Sequence, residues 1–353
     1  MQTFVEEIPG DTTGVRWLLP VLRFAGQAAG AAPSVYLQAA LHANEQPGTS
    51  ALHVLCEHLR RAEAAGRLRG DVTVVPVANP IGASQHLFGQ QMGRFDTASR
   101  SNFNRGYPNL PRPDPALLAP DGPRVGAEAL KMRLLALALP HDIALDLHCD
   151  DEAVPYIYLH AALWPAAQDL AAALGAEAVV LWDGPDGGNA FEEAALAPWL
   201  AIPAAEARLE RRVVATVELR GRADVSEALG RADAEGLLRF LVGRGVVADS
   251  ASERQMRFAG LAAPIRQVTM VHAPVAGPIW FHVAPGDRVE RGAPLATILE
   301  RPGQDGGATT VAAPRAGYVL TRRAHRFTRL GEDLLKLIGD EPDADYRPGP
   351  LEL

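Results

Sequence analysis

His42, Glu45, His148 and Glu218 are the residues whose types and settings suit a divalent metal. His42 and Glu45 follow the apolar run "SVYLQAAL" (34–41), His148 follows "IALDL" (143–147), and Glu218 sits near the end of "VVATVEL" (213–219). Two imidazoles and one carboxylate form a set suited to Zn²⁺, which in catalytic sites takes three protein ligands and keeps a fourth position for water. A further carboxylate nearby can take a proton from that water, whose pKa the metal lowers toward about 7. Each residue alone has a plainer reading: His148 as a hydrogen-bonded histidine, Glu45 as a solvated loop carboxylate. Glu218 is harder to explain in that way, because a carboxylate after a β-branched run is costly to bury unless it is paired or used. Neither H-E-x-x-H nor H-x-x-E-H occurs here, position 46 being Gln, so the candidate is a loop form, "HANE", completed by a distant ligand. On residue type alone, which glutamate binds and which acts as base is open.

Elements that end together must position these residues. The runs 34–41, "DVTVVPVA" (71–78), 143–147 and 213–219 read as buried strands. Helix-like stretches at 49–66, with Thr49 and Ser50 as cap-like residues, 126–139 and 226–245 lie among them. Alternating strands and helices predict an α/β fold with a largely parallel sheet covered by helices on both faces. In such sheets, sites lie at the carboxyl ends of the strands, where all four candidates fall. Two irregular stretches, 82–122 and 182–195, read as pocket-rimming loops; the first contains "GRFDTASRSNFNRGYPNLP".

Past residue 250 the pattern changes to short strands and turns, predicting a catalytic unit over 1–250 and a β unit over 251–353. Within the latter, "VHAPVAGPIW" (271–280) matches "VAAPRAGYVL" (311–320), and "RGAPLATI" (291–298) loosely matches "LGEDLLKLI" (330–338). The duplication predicts a small pseudo-symmetric, barrel-like β domain. It resembles the biotinyl/lipoyl carrier fold, but the hairpin "ERPGQDGGATT" (300–310) lacks the lysine that such carriers modify. Lys131 and Lys336 are the only lysines of the chain.

At 353 residues the chain is long enough for two domains. A net charge of −8 without a basic block excludes nucleic acid as the main partner. No apolar run is long enough to span a bilayer and no signal-peptide core opens the chain, so a cytoplasmic enzyme is expected. Cys56 and Cys149 are too few for a disulfide framework.

"LHANEQPGT", "FNRGYP" (103–108), "DLHCD" (146–150) and "TVELRG" (216–221), in that order, resemble the succinylglutamate desuccinylase/aspartoacylase family, relatives of the zinc carboxypeptidases. The resemblance spans nearly the whole chain and implies a zinc carboxypeptidase-like fold with a trailing β domain. It implies one Zn²⁺ per chain on His42, Glu45 and His148, with Glu218 as general base and then proton donor. It implies that Asn104 and Arg105 grip the carboxylate of a small N-acyl amino acid, and that an upstream arginine polarises the scissile carbonyl. Arg94 is the candidate for that arginine, and Arg100 competes with it.

The activity implied is amide hydrolysis releasing a carboxylic acid and a free amino acid. A carboxypeptidase acting on peptides and a non-catalytic ligand-binding protein are the competing readings, and a homo-oligomer is left open. Many relatives carry Asp-Leu before the Asn-Arg pair, where this chain has Asn102 and Phe103, so a charge near that loop is missing. Cys149 is expected to face away from the metal, since successive residues of an extended segment point to opposite sides. Asp150, Asp151 and Glu152, if they face the pocket, would favour a substrate bearing a second, cationic amine.

Overall fold

The computed structural model describes residues 1–119, 122, 124–184, 188–248, 257–347 and 349. The first part of the chain runs β1 (Gln2–Pro9), β2 (Arg16–Phe24), β3 (Val35–Ala39), α1 (Pro47–Ala64), β4 (Val72–Val75), α2 (Pro80–Ser84) and a small hairpin of β5 (His86–Leu87) and β6 (Gln90–Gln91). After a long loop come α3 (Gly126–Ala138), β7 (Ile143–Asp150), β8 (Glu152–Ala153), β9 (Tyr156–His160), α4 (Trp164–Leu174) and β10 (Ala178–Trp182). Then follow α5 (Phe191–Leu200), α6 (Ala204–Ala207), β11 (Val213–Gly221), α7 (Glu227–Gly243) and β12 (Leu261–Pro264).

Among the described residues the main sheet has nine strands, in the order β1-β2-β4-β3-β7-β11-β9-β10-β12. The central strands β4, β3, β7 and β11 are parallel, β9 runs against β11, and β1 and β2 form an antiparallel edge. The fold is thus the expected mixed, largely parallel α/β sheet. Its central strands are nearly continuous apolar runs because both faces are covered. Gly48 at the start of α1 lies against Ala39 and Leu147, whereas Glu192 of α5 lies beside Thr216, which is paired with Asp146. Neighbouring residues 146 and 147 point to opposite faces, so α1 and α5 cover opposite sides of the sheet.

The four expected strands all form, but their ends move. β3 stops at Ala39 because Ala40 takes a left-handed conformation (φ 56°), and β7 runs on past Leu147, so His148 lies inside a strand rather than after it. α1 starts at Pro47, earlier than the cap-like Thr49 suggests; Thr49 Oγ1 donates instead to the Pro76 carbonyl. The stretch 182–195 is not all loop, because α5 begins at Phe191 with Glu193 accepting from the Ala190 amide.

The expected boundary near residue 250 lies outside the described residues, and β12, beyond it, is the edge strand of the main sheet beside β10. The remaining strands are β13 (Val268–His272), β14 (Gly277–Phe281), β15 (Arg288–Val289), β16 (Pro294–Ile298), β17 (Thr309–Ala312), β18 (Gly317–Arg322), β19 (Phe327–Thr328) and β20 (Asp333–Ile338). They form two sheets, β13-β20-β18-β15 and β17-β16-β14-β19, around a second apolar core that includes Ile279, Leu295, Val319 and Leu337. Exchanging β13 with β17, β14 with β18, β15 with β19 and β16 with β20 converts one sheet order into the other. The repeat seen in sequence is therefore a repeat of structure.

Candidate metal centre

Two parallel neighbours and one loop build the centre. On β7 and β11, His148 and Glu218 are directly paired, and Asp146 and Thr216 are paired one sheet repeat deeper on the same face. Beside them β3 ends and turns through Ala40 into His42-Ala43-Asn44-Glu45. This turn is held by the Glu45 amide on the His42 carbonyl and by Asn79 Nδ2 on the Leu41 carbonyl.

One donor atom from each of His42, Glu45 and His148 lies within 4.8 Å of the others, and all three side chains are buried. Glu45 Oε1 is 2.9 Å from His42 Nδ1, and its Oε2 is 2.8 Å from His148 Nδ1. The other nitrogen of each ring faces an acceptor: His42 Nε2 is 2.9 Å from Asn102 Oδ1, and His148 Nε2 is 2.9 Å from Asp146 Oδ2. These acceptors favour a proton on each Nε2, so each Nδ1, turned toward Glu45, is the atom that would bind a metal on losing its own proton. The donor set therefore fits a divalent metal.

Electrostatics separate the two imidazoles. Burial acts to lower His148, but Asp146 and then Glu45 override it and hold it well above the usual histidine range. His42 is lowered, mainly by burial, with Arg94 adding to the effect against Glu45. Burial opposes ionisation of Glu45, yet the two rings hold its carboxyl well below the usual carboxylate range.

Arg94 reaches the cluster, its Nη1 3.4 Å from Glu45 Oε1. It is brought there by Gly93, whose carbonyl accepts from the Ala43 amide; a Cβ on Gly93 would lie 2.3 Å from the Asn44 nitrogen. Arg100 is an exposed turn residue and is absent from the cleft lining. Asn104 and Arg105 line the same cleft as the histidines, Glu218 and Arg94, along with Tyr158, Trp182, Glu192 and Thr216. Asn104 Oδ1 accepts from the Phe191 amide, and the amides of Gly106 and Tyr107 donate to Gly188 and Asn189, so the Asn-Arg loop is laced to the start of α5.

Four contributors escape a reading of residue types. Asp146 is hidden in an apolar strand, though its place two residues before His148 puts it on the same face. Asn102 keeps the acceptor position behind His42 without the charge, and also takes the Asn104 amide. The buried ammonium of Lys131 holds the carbonyls of Asn102 and Arg105. Glu192 sits in a stretch whose composition suggests no chemistry.

The acidic run does not face the substrate cleft as free charge. Asp150 pairs with Lys336, Asp151 with Arg222, and Glu152 with Arg322 and Arg326, while β8 pairs with β18. These carboxylates fasten the β unit to the main sheet, because their partners lie largely on β18 and β20 or in the turn after β18. Asp150 and Asp151 line a chamber beside the site, but with their charges matched in this way they are not the free carboxylates on which the expectation of a cationic substrate depends. The Cys149 amide donates to Glu45 Oε2, while burial keeps its thiol protonated, assisted by Glu45 and Glu218.

Between the site and the β unit lies a chamber of about 620 Å³, which shares Glu45, Arg94 and Cys149 with the cleft and is walled by Arg222, Arg323 and His325. Among the described residues no helix is long and apolar enough to cross a membrane.

An open α/β sheet with a His-Glu-His cluster at its carboxyl edge, roofed by a second β unit, defines a class of protein with a candidate metal site, and comparison narrows it. The family model for the succinylglutamate desuccinylase/aspartoacylase catalytic domain matches residues 31–244. The chain belongs to the succinylglutamate desuccinylase/aspartoacylase family. It is similar to a family protein from Shewanella amazonensis at 26% identity and a TM-score of 0.82, over 96% of this chain and 99% of that one. A Shewanella frigidimarina protein of the same description is 24% identical, with a TM-score of 0.80 over 96% and 97%. The product-bound ectoine utilization protein EutE (DoeB) from Ruegeria pomeroyi is 22% identical, with a TM-score of 0.71 over 95% and 94%. No curated protein matches the chain in sequence.

Proposed function

We propose that the protein is a zinc-dependent deacylase that hydrolyses the amide of a small N-acyl amino acid. The observation that carries the reading is the convergence of His42 Nδ1 and His148 Nδ1 on Glu45, with Glu218 paired beside His148 on the next strand. His42, Glu45 and His148 would hold the metal. When bound, zinc supplies Lewis-acid polarisation of the acyl carbonyl and acidifies water.

Glu218, half-buried in the cleft lining, takes the proton of the attacking water and returns it to the leaving nitrogen as the carbon–nitrogen bond breaks. Arg94 offers a guanidinium to the oxygen that gains charge. Arg105 receives the substrate carboxylate, a role suited to a planar two-donor group, and Asn104 shapes that loop through its bond to the Phe191 amide. The β unit hangs over the chamber beside Arg94, which favours a small substrate over a peptide chain. With no lysine in the 300–310 hairpin, the β unit acts as a wall and not as a carrier of a swinging arm.

The test combines metal analysis with turnover on Nα-acyl amino acids. One zinc per chain is expected. Glu218→Gln should keep that zinc and lose about 10²–10⁴-fold in kcat. Full activity in the variant, or hydrolysis that survives complete removal of metal, would refute the assignment.

A further inference from the structure

Two carboxylates of the cleft lining, Glu192 and Glu193, have no role in the chemistry above, and Glu193 is taken up by the Ala190 amide at the start of α5. Glu192 lies at the start of α5, is 9% exposed, lines the cleft, and has no hydrogen-bond partner for Oε2 among the described residues. It lies beside Thr216, two residues before Glu218 on the same face of β11, so it stands roughly 7 Å deeper in the cleft than the proposed base. That depth matches the length of a short amino-acid side chain. Burial above all, with the neighbouring carboxylates Glu193 and, more weakly, Asp146, pushes its carboxyl up to about 7.

A buried, incompletely bonded carboxylate among other carboxylates is costly unless a ligand brings a donor to it. The lacing of 104–107 to 188–191 sets this carboxylate next to the Asn-Arg loop, so one small molecule can reach both. We infer that Glu192 is a specificity residue that receives the terminal amine of the substrate side chain, making N-acylated amino acids with a short cationic side chain the preferred class. The inference rests on the deacylase reading: Arg105 takes the α-carboxylate, the amide lies at the metal, and the side chain descends past Thr216 to Glu192. A second carboxylate on the substrate would meet like charge there. Trp182, also lining the cleft, has an indole N–H without a partner among the described residues, so a carboxamide is the ligand to be tested against the amine.

The experiment uses the full-length, zinc-loaded protein with Nα-acetylornithine, its apolar isostere Nα-acetylnorleucine, Nα-acetylglutamine and Nα-acetylglutamate. Hydrolysis is measured with the native chain, and binding by calorimetry with Glu218→Gln, alone and combined with Glu192→Gln. The amine should be favoured about ten- to hundredfold in kcat/KM and in affinity, the range expected for a hydrogen bond to a charged group. Glu192→Gln should abolish that preference while zinc content stays the same. A preference for the amide, the diacid or the apolar isostere overturns the inference, as does an amine preference that survives Glu192→Gln. Selective binding of the amine without hydrolysis of any compound would overturn the deacylase reading and still leave Glu192 as the amine's partner.

Discussion

Behind the two imidazoles stand acceptors of different charge, Asp146 for His148 and Asn102 for His42. An ionised acceptor makes the opposite ring nitrogen a better donor to a metal, and loss of such a partner typically costs about 10–100-fold in metal affinity. Asn102→Asp should therefore tighten zinc binding by about tenfold, measured by competition with a chelator. Unchanged or weaker binding in that variant would show that a charge behind His42 does not make the ring a better ligand, since an aspartate oxygen can still accept the Asn104 amide. The two lysines follow a similar logic of placement. Both ammonium groups are buried and both hold main-chain or carboxylate oxygens, Lys131 under the Asn-Arg loop and Lys336 on Asp150.

At the level of elements, two of the three strands that deliver site residues, β3 and β11, have a residue with positive φ at or near their ends. Ala40 (φ 56°) ends β3, and Arg220 (φ 60°) lies in the irregularity between Glu218 and Gly221 that re-aims the end of β11. Non-glycine residues pay for this conformation only where the surroundings hold them; Arg220 is held by a two-pronged pair with Asp233 of α7. The Arg94 segment depends on a contact of another kind, the bare Cα of Gly93 against the 42–45 turn. Gly93→Ala should push the two segments apart, lowering stability by about 1–3 kcal/mol and reducing kcat/KM through displaced Arg94. Calorimetric unfolding and steady-state kinetics check this, and an unchanged kcat/KM would show that Arg94 is positioned from elsewhere.

For the whole molecule, the junction of the main sheet with the β unit is polar. A two-residue strand, β8, pairs with β18, and three successive acids meet cations there. Most of these pairs are partly exposed, but Lys336 is 2% exposed, and removing one partner of a buried pair leaves the other uncompensated. Lys336→Met should cost about 3 kcal/mol in denaturant unfolding. A loss below about half a kcal/mol, the usual limit for a surface substitution, would show that Tyr156, which also donates to Asp150, suffices alone.

The strands, the β/α alternation, the structural duplication and the candidate ligands were legible in the sequence. Apolar runs and turn residues are local signals, and His42, Glu45, His148 and Glu218 stand at their ends. Only the tertiary structure decided which face each polar residue uses and what it meets. Asp150, Asp151 and Glu152 look like a free acidic loop in one dimension, yet their charges are matched by arginines and a lysine that are far away in sequence. Glu192 looks like an ordinary helix-start glutamate, yet the fold buries it in the cleft wall beside Thr216 and two other carboxylates. Burial and pairing are properties of distant segments brought together, and no local pattern encodes them.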